Sequence, residues 1–429
     1  MTAGWAGRPL RLDEIVKSGL CIGCGLCQSV AGPERVVLVS TAEGRERPVA
    51  RRPLDDATLR RINDVCPGVR VRGADRHRLA TGTPVDGVWG PARRLVIAHA
   101  GDPEVRFRAS SGGVLTALSE FLLAQGEVEF VVHVAALRAR PLRSGRHVSV
   151  DRAGLLRAAS SRYGPAAPLI DFLQIVARRR PFALVGKPCD ISAVRSLARH
   201  EPGVDRYMRY ALTMVCGGAS ELTKSTEVLA AFGVEESELT LLRYRGHGNP
   251  GATRVETAGG AVHELTYDEM WRDESTWRIQ SRCKICPDAI GESADIVAAD
   301  CWDGGGPQGE DAGFNAVLVR TGAGAALFDA AVAAGRLTLV RDITFRDMDR
   351  FQPHQVRKKR AVWARMSGIR ATGGRAPSVR GLRIRRLALR TSPRLLLREA
   401  VQAGARMRAG RFVEAAPTAG AGETVAPAD

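Results

Sequence analysis

No apolar run in this chain approaches the roughly 20 residues that a membrane-crossing helix needs. Residues 1–11 have neither an apolar core nor a small-residue cleavage site. A membrane span and a secretory leader are therefore not expected, and a cytoplasmic location is. Internal repeats are absent as well, which excludes solenoid arrays. Acidic residues are missing from one stretch: between 357 and 411, Glu399 stands alone among 17 Lys and Arg. That stretch holds almost the whole formal charge of +17, so a nearly neutral body is expected to carry a basic C-terminal appendage. Aromatic residues make up only 5% of the chain, and the basic stretch has little beyond Trp363 and Phe412. It lacks the aromatic interleaving of a nucleic-acid platform, so no nucleic-acid partner is expected.

An even cysteine count is also missing. Nine cysteines do not close into a disulfide framework, and closely spaced cysteines in a reducing compartment more often bind metal or do redox chemistry. The 429 residues suffice for two or three domains with a sizeable core.

From Arg94 onward the pattern alternates between strand and helix. Strands are expected at 95–98, 128–134, 182–185, 210–215 and 295–299. Helices are expected at 114–124, 166–178 and 191–199. The alternation predicts a largely parallel, layered α/β domain. Residues 76–91 read as a linker. Cys189, Cys216 and Asp300 each follow closely on an expected strand, so they could converge at the carboxyl edge of the sheet, where open α/β sheets bind ligands.

Cys21, Cys24 and Cys27 have the x2 spacing of a bacterial ferredoxin run, and Cys66 before Pro67 supplies the distant fourth ligand. The glycines at 23 and 25 let the loop wrap so that three thiolates meet three corners of a cube. A structural zinc site uses similar spacing and stays open as the plainer alternative. The pair Cys283 and Cys286 needs two partners from elsewhere. Cys189 and Cys216 are expected to provide them and complete a second cluster, unless they are simply small core residues. Cys301 is left for packing.

Ser110, Ser111, Gly112 and Gly113 directly precede an amphipathic helix. Glycines admit a phosphate closely, and a helix N-terminus offers free N–H groups, though a plain helix cap reads the same way. Ser160, Arg162 and Tyr163 precede another expected helix and could serve the same ligand. Lys187, two residues before Cys189, is a candidate for stabilising negative charge on a reduced flavin.

Taken together, several segments resemble the coenzyme F-420 hydrogenase/dehydrogenase beta-subunit family. They are residues 108–113, 185–189, 216–218 and 244–246, the run 282–292 with Asp295, and then Asp300, Trp302, Gly313, Asn315, Arg320 and Thr321. The resemblance covers about residues 20–325. It is nearest to the 7-hydroxymethyl chlorophyll a reductase and divinyl chlorophyllide 8-vinyl reductase branch. It implies FAD, two 4Fe-4S clusters and flavin contacts at Ser110, Ser111, Gly112, Gly113, Ser160, Arg162, Tyr163 and Lys187.

The expected architecture is a ferredoxin-like iron–sulfur unit at 1–75, a layered α/β flavin region at 92–180 and a cluster-bearing region at 181–350. A basic helical extension at 351–414 and a disordered tail at 415–429 follow. The expected activity is an FAD- and iron–sulfur-dependent oxidoreductase, fed by ferredoxin and reducing a small organic substrate. Lys187, His247 and Asp300 are the catalytic candidates, and Glu292 is a further proton-donor candidate. The alternative is a deazaflavin-linked (F-420) subunit that passes electrons within a larger complex. The Arg-rich extension is expected either to dock an acidic ferredoxin or to touch an anionic membrane surface through 382–397, where Leu and Arg interleave. A homo-oligomer is compatible with all of this.

Overall fold

In a computed structural model of the chain, residues 7–273, 276–418 and 422–425 are described. The N-terminal segment forms an antiparallel pair, β1 (Val36–Ser40) with β2 (Glu46–Ala50), and a short strand β3 (Arg70–Arg72). Within the expected linker, β4 (Val85–Asp86) and β5 (Gly90–Pro91) make a small ribbon.

The body is one sheet of eight strands. In chain order these are β6 (Arg94–Ala100), β7 (Phe130–Leu137), β8 (Arg140–Ser149), β9 (Phe182–Gly186) and β10 (Met208–Met214). A separate antiparallel sheet intervenes, made of β11 (Leu239–Arg243), β12 (Thr253–Thr257) and β13 (Val262–Leu265). The main sheet then resumes with β14 (Ile296–Asp300), β15 (Asn315–Val319) and β16 (Leu337–Asp342), and β17 (Ser378–Arg380) pairs with β3.

The strand order is β16-β6-β15-β14-β10-β9-β7-β8. Only β7, β9, β10 and β14 run parallel to their neighbours; β15, β6, β16 and β8 join antiparallel. The sheet is thus mixed, where the sequence pattern predicted a largely parallel one. A tight hairpin joins β7 to β8, and although the helix Gly322–Ala333 links β15 to β16, both of these run antiparallel to β6, which lies between them. Neighbouring residues such as Val131 and Val132, or Ile296 and Val297, fall into the two cores on opposite faces, as a pleated strand requires.

Five expected strands are present, and the helix at Val114–Ala124 matches its expectation. Two helices differ. The one expected over 166–178 starts only at Phe172, because Pro168 interrupts the turn and the Leu169 amide donates to the Cys24 carbonyl instead (2.8 Å). The one expected from 191 begins earlier, at Pro188, because Asp190 accepts the Lys187 amide and caps it; Cys189 therefore stands in a first helical turn.

The basic segment is not an appendage. Helices Pro353–Ala371, Ile384–Ala388 and Pro393–Arg408 share a core with the N-terminal segment. Val362, Met366 and Ile369, one helical face hidden among arginines, pack with Leu20, Cys21, Val69 and Phe412. The stretch expected on a membrane is split at Pro393. Leu382, Ile384 and Leu387 turn inward, while Leu389 and Leu397 face solvent. Of the tail expected to be disordered, 419–421 and 426–429 lie outside the described residues, and Thr424 bridges Val39 of β1.

Candidate functional site

The carboxyl edge of the parallel strands opens onto a cavity of about 290 Å3. Its wall includes Ser110, Ser111, Gly113, Ser160, Arg162, Tyr163, Lys187, Cys216 and Asp300, so nearly all the expected flavin contacts come together there. Gly112 lies just behind: a Cβ on it would sit 2.7 Å from the Asn315 amide nitrogen, so only glycine fits. Gly113 holds φ +77°, which starts the helix Val114–Ala124 at no side-chain cost. Gly113 gives that helix no side-chain cap, and its first turn (Val114, Leu115, Thr116) lines the cavity. With the Val114 amide taken by the Asn315 side chain (3.2 Å), the amides of Leu115 and Thr116 are the ones suited to an anionic group such as a pyrophosphate.

Arg245 organises the rim, a role the sequence did not disclose. It is buried, and its guanidinium grips Asp300 in a two-pronged ion pair (3.0 and 3.2 Å). It also donates to the Tyr163 hydroxyl (3.1 Å) and to the Ser110 carbonyl. Its plane lies over Trp302, 4.8 Å from the ring centroid. Asn315 was visible in a motif but carried no assigned role. Its amide ties β14 to the helix start, accepting from Val114 N–H (3.2 Å) and donating to the Ala299 carbonyl (3.1 Å).

Lys187 is paired with buried Asp190 (2.8 Å). Burial pulls its pKa down, but Asp190 and Cys189 outweigh that and raise it above the ordinary lysine value. The ammonium therefore stays charged beside the cavity. His133, buried in the cavity wall, donates to or accepts from Ser149 (2.8 Å), and burial with nearby His147 lowers its pKa to about 4.

Three expected residues have other roles. The Arg162 guanidinium is spent on Ser144 and on the carbonyls of Pro141, Leu142, Arg143 and Leu242, so it fastens β8 to β11 while the residue still lines the cavity. His247 is outside the cavity wall, exposed in a turn and packed on Phe107 (5.2 Å). Glu292 is fully buried between Lys359 (2.8 Å) and Arg383, and so anchors the C-terminal helices to the body.

Cys21, Cys24, Cys27 and Cys66 line one small cavity. Their thiols influence one another, and burial, then Cys21, pushes Cys66 up to about 11. Gly25, at φ +88°, passes close to Ile170, where a Cβ would stand 2.7 Å from its amide nitrogen. In the second set the Ala219 amide, three residues after Cys216, donates to Cys283 Sγ (3.4 Å); burial, then Cys283, lifts Cys216 to about 11, with Cys286 contributing, and burial, then Asp190, raises Cys189, with Cys216 and Cys283 adding to it. Buried thiols this close resist ionisation unless a cationic group joins them, which is what the irons of a cluster supply. Among the described residues, no three His, Cys, Asp or Glu side chains are gathered as a site for a metal ion. Cys301 packs against the sheet core.

Residues 95–174 and 180–343 match the N-terminal and C-terminal regions of the coenzyme F420 hydrogenase/dehydrogenase beta subunit. The chain belongs to this family. An uncharacterized protein of Methanocaldococcus jannaschii is 21% identical over 81% of this chain and 96% of its own length. The coenzyme F420-dependent sulfite reductase of the same organism is 24% identical over 72% of this chain, which spans only 46% of that protein. The coenzyme F420 hydrogenase beta subunit of Methanothermobacter thermautotrophicus is 23% identical, covering 58% of this chain and 84% of its own. A chain of the F420-reducing nickel–iron hydrogenase complex of Methanosarcina barkeri overlays with a TM-score of 0.48 at 21% identity, over 65% of this chain and 96% of that one. No helix among the described residues is long and apolar enough to cross a membrane.

Proposed function

We propose that the chain is an electron-transfer oxidoreductase subunit that exchanges a hydride with F420 at a flavin in the cavity and passes single electrons to a partner protein. The observation that carries this is the shared wall: Cys216, Gly217 and Gly218 line the cavity, and the next amide, Ala219 N–H, donates to the sulfur of Cys283 (3.4 Å) in the second cysteine set. A flavin supplies the change from two-electron to one-electron traffic, and iron–sulfur clusters carry the single electrons.

The chain's own residues do the rest. The start of Val114–Ala124, with Gly112 and Gly113, receives the phosphates. Val114, Val131, Leu155 and Val185 exclude water from the inner wall. Arg245 and Asp300 pin the loops at the rim. Lys187 places a permanent positive charge where negative charge grows on reduction. Gln355 donates to the Cys216 carbonyl (2.9 Å) and Lys358 to the Gly217 carbonyl (3.4 Å), so the C-terminal helix steadies the loop between cavity and cysteines. Cys189, Cys216, Cys283 and Cys286 would hold one cluster; Cys21, Cys24, Cys27 and Cys66 would hold the other.

This reading displaces the ferredoxin-fed reduction of an organic substrate, because two of the relatives above are named for F420. The test is anaerobic mixing of FAD-loaded protein with reduced F420 and an oxidised one-electron dye. Wild type should bleach its flavin and reduce the dye. Cys216→Ser should still bleach but pass electrons slowly. A wild-type flavin that reduced F420 cannot bleach would refute the proposal.

A further inference from the structure

The C-terminal helical layer lies beyond the family-matched residues, which end at 343. Its inward face is packed on Cys21's core, through Ala403 and Phe412. Its outward face is charged in an unusual way. Arg394, Arg398, Arg406, Arg408 and Arg411 are exposed, and among the described residues none of them forms an ion pair, although many other arginines of the chain do. The one acid of the layer, Glu399, is already taken by Arg365 (2.7 Å).

Arg406 and Arg408 gain from the carboxyl end of their helix. Arg394 and Arg398 do not: they crowd the first turns of Pro393–Arg408, where the dipole is unfavourable, and they repel one another one turn apart. Beside them Leu397 and Val401, also one turn apart, are 67% and 57% exposed. A small apolar centre rimmed by unpaired cations has the anatomy of a docking face.

Its position gives the face a purpose. Arg365 donates to the carbonyl of Lys284 (3.2 Å), and Ser281 donates to the carbonyl of Arg411 (3.1 Å). The basic layer is therefore fastened to the segment that carries Cys283 and Cys286, while its inner side touches Cys21's core.

We propose that this face docks a small acidic one-electron carrier protein, whose carboxylates neutralise the unpaired arginines and which would exchange electrons with the iron–sulfur clusters that the cysteine sets beneath would hold. The proposal rests on the electron-transfer reading above, and it names the partner's chemistry and landing place. Complementary charge would steer the encounter and make it salt-dependent.

The test uses the full chain, prepared anaerobically, and a plant-type ferredoxin as the acidic probe, with binding measured by calorimetry at low and high salt. Arg394→Glu, Arg398→Glu, Arg406→Glu and Arg411→Glu are combined in one variant, and the fourfold Arg→Gln variant serves as its milder companion. Affinity should fall at least tenfold with charge reversal, less with Gln, and markedly with salt, while reduction of the variants by a small neutral dye matches wild type. The proposal is overturned if wild type does not bind the ferredoxin, or if charge reversal leaves binding unchanged. It is equally overturned if the same arginines are needed only for phosphatidylserine vesicles or duplex DNA. Binding is read without turnover, so a protein that binds the carrier yet ignores reduced F420 would sink the F420 reading and leave the docking face standing.

Discussion

Replacing Arg245 should damage both stability and flavin retention, because one side chain closes four contacts. Arg245→Leu removes the two-pronged bond to Asp300 and the donors to the Tyr163 hydroxyl and the Ser110 carbonyl. Breaking a buried pair by deleting one partner costs about 3–5 kcal/mol. Asp300 is 27% exposed and recovers some water, which places the expected loss near the lower end, about 3 kcal/mol. The Ser110 carbonyl belongs to the turn that leads into the helix start proposed to hold the flavin phosphates, so on that reading FAD should also dissociate more readily. Arg245→Lys keeps the charge but not the fork and should fall between leucine and wild type. Denaturant unfolding gives the stability, and flavin absorbance after gel filtration gives the retention. A leucine variant within about 0.5 kcal/mol of wild type, with its flavin intact, would refute the claim that Arg245 holds the rim.

His133 gives a pH signature. Its folded pKa, about 4, lies below the ordinary 6.5, so the unfolded chain binds the extra proton first and the fold loses stability as pH falls from 6.5 towards 4. Between pH 7.5 and 5 this amounts to about 2 kcal/mol, and it should vanish in His133→Gln when unfolding midpoints are compared at the two pH values. Gly25→Ala must place a Cβ against Ile170 at a left-handed φ. It should cost about 1–2 kcal/mol in backbone strain alone and lower the iron bound per chain, read by iron and sulfide analysis. Cys66→Ser should cut iron and acid-labile sulfide from about eight each to about four, leaving the flavin content unchanged. Loss of all iron would mean that the two cysteine sets do not load independently.

Much of the site was legible because its residues sit where a strand must end. Cys189, Cys216 and Asp300 were expected together by the rule that parallel strands gather ligands at their carboxyl edge; the cavity wall takes in Cys216 and Asp300, with Lys187, while Cys189 lies outside it in the first turn of the helix from Pro188. Arg245 was not legible. Its neighbours Tyr244 and Gly246 read as turn chemistry, and nothing local tells that a turn arginine will be buried against Asp300, 55 residues later. His247 lies outside the cavity wall for the related reason that belonging to a motif does not fix the direction of a side chain. In the C-terminal layer the many arginines obscured a helical stripe, Val362, Met366 and Ile369, that only makes sense once the N-terminal core is seen to lack a cover. The mixed sheet was hidden because strand propensity does not encode direction: a helix links β15 to β16, yet both run antiparallel to β6 between them.

The most direct test of the electron-transfer reading is a stoichiometric titration of the anaerobic, FAD-loaded protein with reduced F420, followed in the flavin absorbance. The account predicts that one reduced F420 bleaches one flavin per chain, and that an added one-electron dye then recovers two electrons from each. A flavin that stays oxidised with excess reduced F420 would contradict it.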